Sequence, residues 1–349
     1  MDRAVLAFLL FAFGAWRSAH AAGPCDAAAP PANTWGGRVA AAACAESRLW
    51  FSPFLDDKGR LASISIGEAE SARLADQQTP AWRRVVQYWQ SSGLLSSMSA
   101  RPGASDCNAP DAWPTSAECR AFVVDTPWSA VFVSYAYVRA GIPGFSPAAS
   151  HLDFVRQALR NDGVSPLRFA DPDSEAPAVG DLLCFTRGLS TPMGAAGIRA
   201  YIAKGGAGLA MHCDIVVDAN AAGDGRIYSI GGNVLQGVTL RTLHVNKNGT
   251  LWQLPRKGET FLCKPGDDAG CTFNRQDWVA LLKLEPRAAA PAPTPGLQCC
   301  TVCTLPMPPG MEIVGGAEAL RQAASGKDDL LLDQINPEDL LLQSLNARN

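Results

Sequence analysis

A threonine–proline pair followed by a repeating apolar pattern predicts the first clear helix of the chain. Thr79 and Pro80 are typical of a helix N-cap and its first position. Apolar residues then recur at spacings of three and four until Gly93, at Trp82, Val85, Val86 and Trp89. This spacing predicts an amphipathic helix whose tryptophan-bearing face packs into the core rather than forming a ligand platform.

The remaining pattern changes from helical to strand-like along the chain. Residues 94–120 are rich in Ser, Pro, Gly and Asp and predict a loop, whereas an apolar stretch from Ser129 to Gly141 and a segment starting near Ser150 predict helices. Short apolar or β-branched runs then predict strands at 182–186, 215–217, 227–230, 238–243 and 278–284. Helices followed by strands predict one α+β domain over residues 36–287, with helices packed on an antiparallel sheet.

Both ends of the chain differ in composition from this body. Arg3, an apolar run over residues 4–16 and the small residues Ala19 and Ala21 have the layout of a secretory signal, and the run is too short to span a bilayer. We therefore expect a signal peptide over 1–21, a linker over 22–35, and an exported protein, periplasmic or secreted. Residues 288–349 begin with a Pro/Ala linker and continue as an acidic tail that we expect to be flexible.

The charge and the apolar segments of the chain limit the partners that we expect for the domain over residues 36–287. The chain carries 30 Lys+Arg and 33 Asp+Glu, and the excess of acid lies mainly in the tail. The body is therefore near neutral, which argues against nucleic acid as a partner. No segment after the signal is long and apolar enough to predict a membrane span.

Eleven cysteines are a high count for this length and predict disulfides in an exported protein. An odd number leaves at least one thiol unpaired, and the spacing alone does not fix the pairing. Cys184 and Cys213 are expected to be core thiols or disulfide partners. The best candidate pairs, from stronger to weaker, are Cys263 with Cys271, Cys107 with Cys119, and Cys25 with Cys44.

A small set of polar residues is placed where acyl-transfer chemistry would need it. Ser129 begins a helix, and a helix N-terminus stabilises developing negative charge. Strand alternation puts His212 and Asp214 on one face, and Asn233 ends the next predicted strand. Ser129, His212 and Asn233 can then act as nucleophile, general base and orienting group. Taken alone the pattern is weak, because a serine at a helix start is usually a cap.

Four segments resemble the CHAP and NlpC-type papain-like amidases and peptidases. Residues 125–145 are similar to their nucleophile helix, 177–185 to a strand entry, the strand at His212 to their catalytic histidine strand, and 232–234 to their polar third position. Together with the helix that carries His151, these segments resemble a bacterial domain-of-unknown-function family, number 2272, and this resemblance covers roughly residues 36–287. The resemblance implies a papain-like fold, with a serine where those enzymes carry a cysteine.

The resemblance implies a hydrolase that acts on an amide or ester bond, in peptidoglycan or another envelope substrate. Trp128, His151 and Asp214 are the candidate cleft or substrate-binding residues, although His151 fits a packing role equally well. No metal-binding or cofactor motif is present, so we expect no metal and no cofactor.

The alternative is a non-catalytic envelope binding module that uses the same cleft. Catalysis requires Ser129 within hydrogen-bond reach of His212 beneath an open cleft, whereas a His212 that bonds Asp214 and points away favours binding.

Overall fold

A seven-stranded mixed sheet covered by helices forms the body of the protein. The computed structural model describes residues 23–25, 33–160, 162–189, 191–258, 263–266 and 271–285. The predicted signal peptide, most of the 22–35 linker and the 288–349 tail lie outside these residues. The helices are α1 (Trp35–Leu49), α2 (Ala81–Ser91), α3 (Thr115–Asp125), α4 (Ser129–Arg139), α5 (His151–Arg160) and α6 (Gly194–Ala203). The strands are β1 (Phe54–Leu55), β2 (Leu167–Ala170), β3 (Leu182–Thr186), β4 (Met211–Ala219), β5 (Arg226–Val234), β6 (Gly237–His244) and β7 (Asp277–Leu284).

The strand order in the sheet is β1-β6-β5-β4-β3-β7-β2. Every pair is antiparallel except β1 with β6, which run parallel. The sequence therefore predicted the α+β class correctly, but the prediction of a purely antiparallel sheet is wrong at this edge. The physical reason is that β1 contains only two residues, too few to show the alternation by which a strand is recognised.

The helix α4 lies at the centre of the helical layer. All residues from Ser129 to Tyr137 are buried, as expected for a helix that is apolar on every side. It packs against α1 and α2 on one side and against β4 and β5 on the other. A buried carboxylate strengthens this layer, because Glu46 of α1 accepts hydrogen bonds from Arg84 and Tyr88 of α2 and from Tyr135 of α4.

The two faces of the sheet belong to different apolar clusters. Cys213, Ile215 and Val217 of β4 pack in the cluster that contains the helices. Val216 packs in a smaller cluster with Phe185. Because side chains alternate along a strand, His212 and Asp214 lie on the same face as Val216, away from most of the helical layer.

Two local predictions fail. The segment 94–120, predicted as a loop, contains the first six residues of the 11-residue helix α3, whose buried face is formed by Cys119, Phe122 and Val123. Pro80 is the N-cap residue of α2, and Thr79 does not cap this helix. The hydroxyl of Thr79 instead donates to Asp76 at 2.6 Å, because the Asp76 carboxylate organises the turn before the helix.

Four disulfides link Cys25–Cys44, Cys107–Cys119, Cys184–Cys213 and Cys263–Cys271. The three pairs proposed from the sequence are confirmed. The fourth joins directly opposite residues of β3 and β4, a pairing that the sequence left open. Such a set of disulfides is typical of a protein from an oxidising compartment and is compatible with export. Among the described helices, none combines the length and the apolar character needed to cross a membrane.

Candidate active site

Ser129 and His151 are joined by a hydrogen bond at the meeting point of two helix N-termini. Ser129 is the first residue of α4 and His151 the first residue of α5. The Ser129 hydroxyl oxygen lies 2.8 Å from Nε2 of His151. The residues are only 7% and 3% exposed, respectively, so the contact is almost closed to solvent. The structure therefore gives Ser129 a histidine partner, but a different one from the His212 predicted by the sequence.

His212 is held by a buried carboxylate and arginine. Its Nε2 donates to Oδ1 of Asp214 at 2.7 Å, and Oδ2 of Asp214 accepts from Nε of Arg241 at 2.8 Å. All three side chains are buried. Arg241 is further fixed by Asn274, whose side-chain oxygen accepts from its guanidinium at 3.0 Å. The predicted pairing of His212 with Ser129 is replaced by this chain because β4 directs His212 and Asp214 to the same face.

The charge states of His212, Asp214 and Arg241 follow from the contacts among these three residues. Burial by itself would raise the pKa of Asp214, but Arg241 and His212 outweigh burial and hold that pKa well below its usual range. Burial lowers the pKa of His212, although Asp214 opposes the effect. At neutral pH the group is therefore an ionised Asp214 between a charged Arg241 and a neutral His212.

The two imidazole rings are neighbours. The ring centroids of His151 and His212 lie 5.1 Å apart. Burial is the main cause that lowers the pKa of His151 well below the usual range, and His212 and Arg187 add to it. The Nδ1 atoms of both rings are buried and have no hydrogen-bond partner within the described part of the chain. His151 is therefore a neutral imidazole that is tied at one nitrogen only.

Two glycines of β5 allow the sheet to approach this site closely. A Cβ atom on Gly231 would overlap Oδ1 of Asp214 and would lie 2.7 Å from Nε2 of His212. A Cβ atom on Gly232 would collide with the side chain of Phe132 on α4. The Gly231-Gly232 pair is thus required by packing, because any larger residue would push β5 away from β4 and α4.

Asn233 does not orient His212. It lies at the irregular end of β5 with a φ of 54°, a left-handed conformation that asparagine adopts more readily than most residues. Its position is on the lining of a cavity that also contains Arg187 and Arg241. The orienting role that the sequence assigned to Asn233 is taken by Asp214.

Trp128 lies in the core rather than in a cleft. It has no exposed surface, and its Nε1 donates to Oε2 of Glu68 at 2.6 Å. Its ring stacks on Trp50 with centroids 6.0 Å apart. Trp128 therefore fixes the start of α4, and with it Ser129, instead of contacting a ligand directly.

Arg241 is the site residue that sequence reasoning missed. It lies in the run 237–244 that forms β6, where an arginine would be expected to face solvent. The only signal was its position between the apolar residues Leu240 and Leu243 in a strand that is buried along nearly its whole length. A buried arginine needs a carboxylate partner, and Asp214 was the one carboxylate already assigned to a buried strand.

The structure thus defines an α+β protein with a Ser–His pair at two helix N-termini beside a buried His–Asp–Arg chain. The family described as "Uncharacterized protein conserved in bacteria (DUF2272)" matches residues 76–284, and the chain belongs to this family. No curated protein and no solved structure matches the chain.

Proposed function

We propose that the protein is an exported hydrolase that cleaves an amide or ester bond in peptidoglycan or another envelope substrate. Ser129 is the nucleophile and His151 the general base. The observation that carries the proposal is the 2.8 Å contact between the Ser129 hydroxyl and Nε2 of His151 at the start of α4. The substrate class rests on the resemblance of residues 125–145 to the nucleophile helix of papain-like CHAP and NlpC-type enzymes.

The protonation state of His151 suits a general base. A base must be free of its proton at the working pH, and burial keeps the pKa of His151 well below its ordinary value. A serine hydroxyl does not ionise beforehand as a cysteine thiol can, so it has to lose its proton as it attacks. A neutral imidazole already in contact with the hydroxyl provides that step.

The reaction then follows acyl-transfer chemistry. The Ser129 oxygen bonds to the substrate carbonyl carbon while its proton moves to Nε2 of His151, and the carbonyl oxygen becomes negative. The first N–H groups of α4 lack acceptors within the helix, and together with the helix dipole they stabilise that charge. His151 next protonates the leaving nitrogen or oxygen as its bond to carbon breaks. A water molecule then attacks the acyl carbon and gives a proton to Nε2 of His151. The bond between that carbon and the Ser129 oxygen breaks, His151 returns the proton to Ser129, and the free acid leaves.

His212 and Asp214 have a positioning role in this proposal. The negative charge of Asp214 favours the positively charged form of His151, which exists only during the reaction. His212 packs beside the His151 ring. The hydrogen bonds from His212 to Asp214 and from Arg241 to Asp214 hold His212 in that position. His212 thus supports the base instead of being the base, which departs from the expectation drawn from the papain-like resemblance.

A non-catalytic envelope binding module is the second candidate function. Two observations favour it: Ser129 is only 7% exposed, and His212 bonds Asp214 rather than Ser129. In this case the polar residues would stabilise the fold beneath a binding surface, and the serine would mark a site without chemistry.

Digestion of purified peptidoglycan by the protein, read by mass spectrometry, tests the proposal. New fragments are expected with the wild type and with the control Ser229→Ala. Ser229 lies on β5, and its buried hydroxyl has no hydrogen-bond partner among the described residues. The new fragments are expected to vanish with Ser129→Ala and His151→Gln. Absence of products from the wild type, together with co-sedimentation of the protein with peptidoglycan, would support the binding module instead.

A further inference from the structure

A cavity next to β3 and β5 is lined by several basic side chains. It has a volume of about 470 Å³, and its described lining includes Arg187, Arg241, Lys257 and Arg275. No aspartate or glutamate is among its described lining residues. Four basic side chains around one small cavity repel one another unless anions balance them. The charge of the lining therefore predicts an anionic occupant.

Only part of this charge is neutralised by the protein. Arg241 is paired with Asp214 beneath the cavity. Arg187 and Lys257, by contrast, form no ion pair with any carboxylate in the described part of the chain. The Nζ of Lys257 donates to the backbone oxygen of Leu189 at 2.6 Å, and a carbonyl supplies no full negative charge. Arg187 and Lys257 are thus two cations of the lining without a carboxylate partner among the described residues.

The environment of Arg187 agrees with this reading. Its guanidinium lies 5.8 Å from the centroid of the Phe185 ring, and the residue is exposed to solvent. Partial desolvation lowers the pKa of Arg187, and the positive Arg241 lowers it further against the attraction of Asp214. A nearby anion would relieve this unfavourable electrostatic environment.

The rest of the lining indicates the size and character of the ligand. Asn233 and Gln276 offer amide groups that can donate hydrogen bonds, while Phe185 and Phe273 supply aromatic surface. A planar guanidinium pairs well with the two oxygens of a carboxylate, and both arginine and lysine bind phosphate. An organic anion with a small apolar part fits this combination of charged, amide and aromatic groups.

We propose that this cavity binds a small organic oxyanion, either a carboxylate or a phosphate, through Arg187 and Lys257. The site does not use Ser129 or His151, so it goes beyond the hydrolase proposal and can be tested independently of it.

The test is a ligand-observed NMR titration of the protein with three probes of one shape, in a low-salt chloride buffer. Benzoate carries a carboxylate, phenylphosphonate a phosphate-like group, and benzamide no charge. We expect at least one anion to bind clearly more tightly than benzamide, and the more tightly bound anion identifies the oxyanion class. Arg187→Gln and Lys257→Gln should each weaken anion binding by about tenfold, the loss of one charge-assisted hydrogen bond.

Two control variants make the outcome specific. Arg199→Gln removes an arginine that packs on Phe169 outside the cavity and should leave the affinity unchanged. Ser129→Ala should bind the anions like the wild type, whether or not the protein is a hydrolase. Equal binding of anions and benzamide, no binding of either anion, or unchanged affinity in both cavity variants would overturn the proposal.

Discussion

His151 and His212 lie side by side, and their surroundings differ in almost every other respect. His212 is bonded to an ionised aspartate that is itself bonded to an arginine. Within the described part of the chain, the His151 ring has a single hydrogen-bond partner, the neutral hydroxyl of Ser129. The His212 ring is thus held by a charged partner, whereas the His151 ring contacts a neutral hydroxyl that does not fix its protonation state. This difference is the reason why we propose His151, and not the more easily recognised His212, as the general base.

The largest expected effect is on activity, and it should differ between variants of His151 and of His212. Ser129→Ala and His151→Gln should each lower kcat/KM by about 10³-fold or more, as expected for members of a nucleophile–base pair. His212→Gln should lower kcat/KM less, because the proposal gives His212 a positioning role beside His151 and no direct role in proton transfer. Steady-state kinetics on an activated ester would measure all three variants, with Ser229→Ala as the matched control.

A larger loss in His212→Gln than in His151→Gln, with both variants folded by circular dichroism, would reverse the assignment of the two rings.

The buried charge pair beside His212 should dominate stability. Arg241→Met leaves the Asp214 carboxylate buried without its cation, and loss of one partner of such a pair costs about 3–5 kcal/mol. Arg160→Ala breaks a surface pair with Asp162 and should cost less than about 1 kcal/mol. Urea unfolding measures both variants. Similar losses of unfolding free energy in the two variants would contradict a tightly held, buried Asp214–Arg241 pair beside His212.

The close approach at β5 should produce the next largest effect. Gly231→Ala places a methyl group against Asp214 and His212, and overpacking of this kind costs about 1–3 kcal/mol. Gly258→Ala is the control, because no described atom beyond the neighbouring residues lies within 4 Å of the Cβ position there. The free energy of unfolding should fall only in the first variant. An unchanged free energy of unfolding in Gly231→Ala would mean that β5 is not closely packed against Asp214 and His212.

The pH dependence of stability should be the smallest effect. Burial lowers the pKa of His151 and His212, so the unfolded chain takes up protons first as the pH falls below about 6.5. Each histidine should therefore lower the free energy of unfolding by up to about 1.4 kcal/mol per pH unit below that pH. In urea unfolding between pH 6.5 and 5, His151→Gln should remove the part of this pH dependence of the unfolding free energy that His151 contributes. An unchanged slope would contradict a neutral, buried His151.

The sequence predicted the parts of the site that depend on local pattern. Alternation along one strand is a local property, so it placed His212 and Asp214 on one face, and Ser129 was correctly placed at a helix start. The pairing of Ser129 with His151 depends on how α4 and α5 meet, which no local spacing encodes. The Asp214–Arg241 contact likewise depends on strand order, since β5 lies between their strands.

The missed elements have similar explanations. In α3 the spacing of Cys119, Phe122 and Val123 is helical, but the many loop-forming residues before it concealed that pattern. The parallel strand β1 forms only through its contact with β6, and its two residues carry no pattern of their own.

Covalent labelling with a fluorophosphonate, located by peptide mass spectrometry, tests most directly whether His151 activates Ser129. If His151 activates Ser129, the reagent should label Ser129 in the wild type and in Ser229→Ala, and should leave Ser129→Ala and His151→Gln unlabelled. Absence of label on wild-type Ser129, or equal labelling of Ser129 in His151→Gln, would contradict this activation.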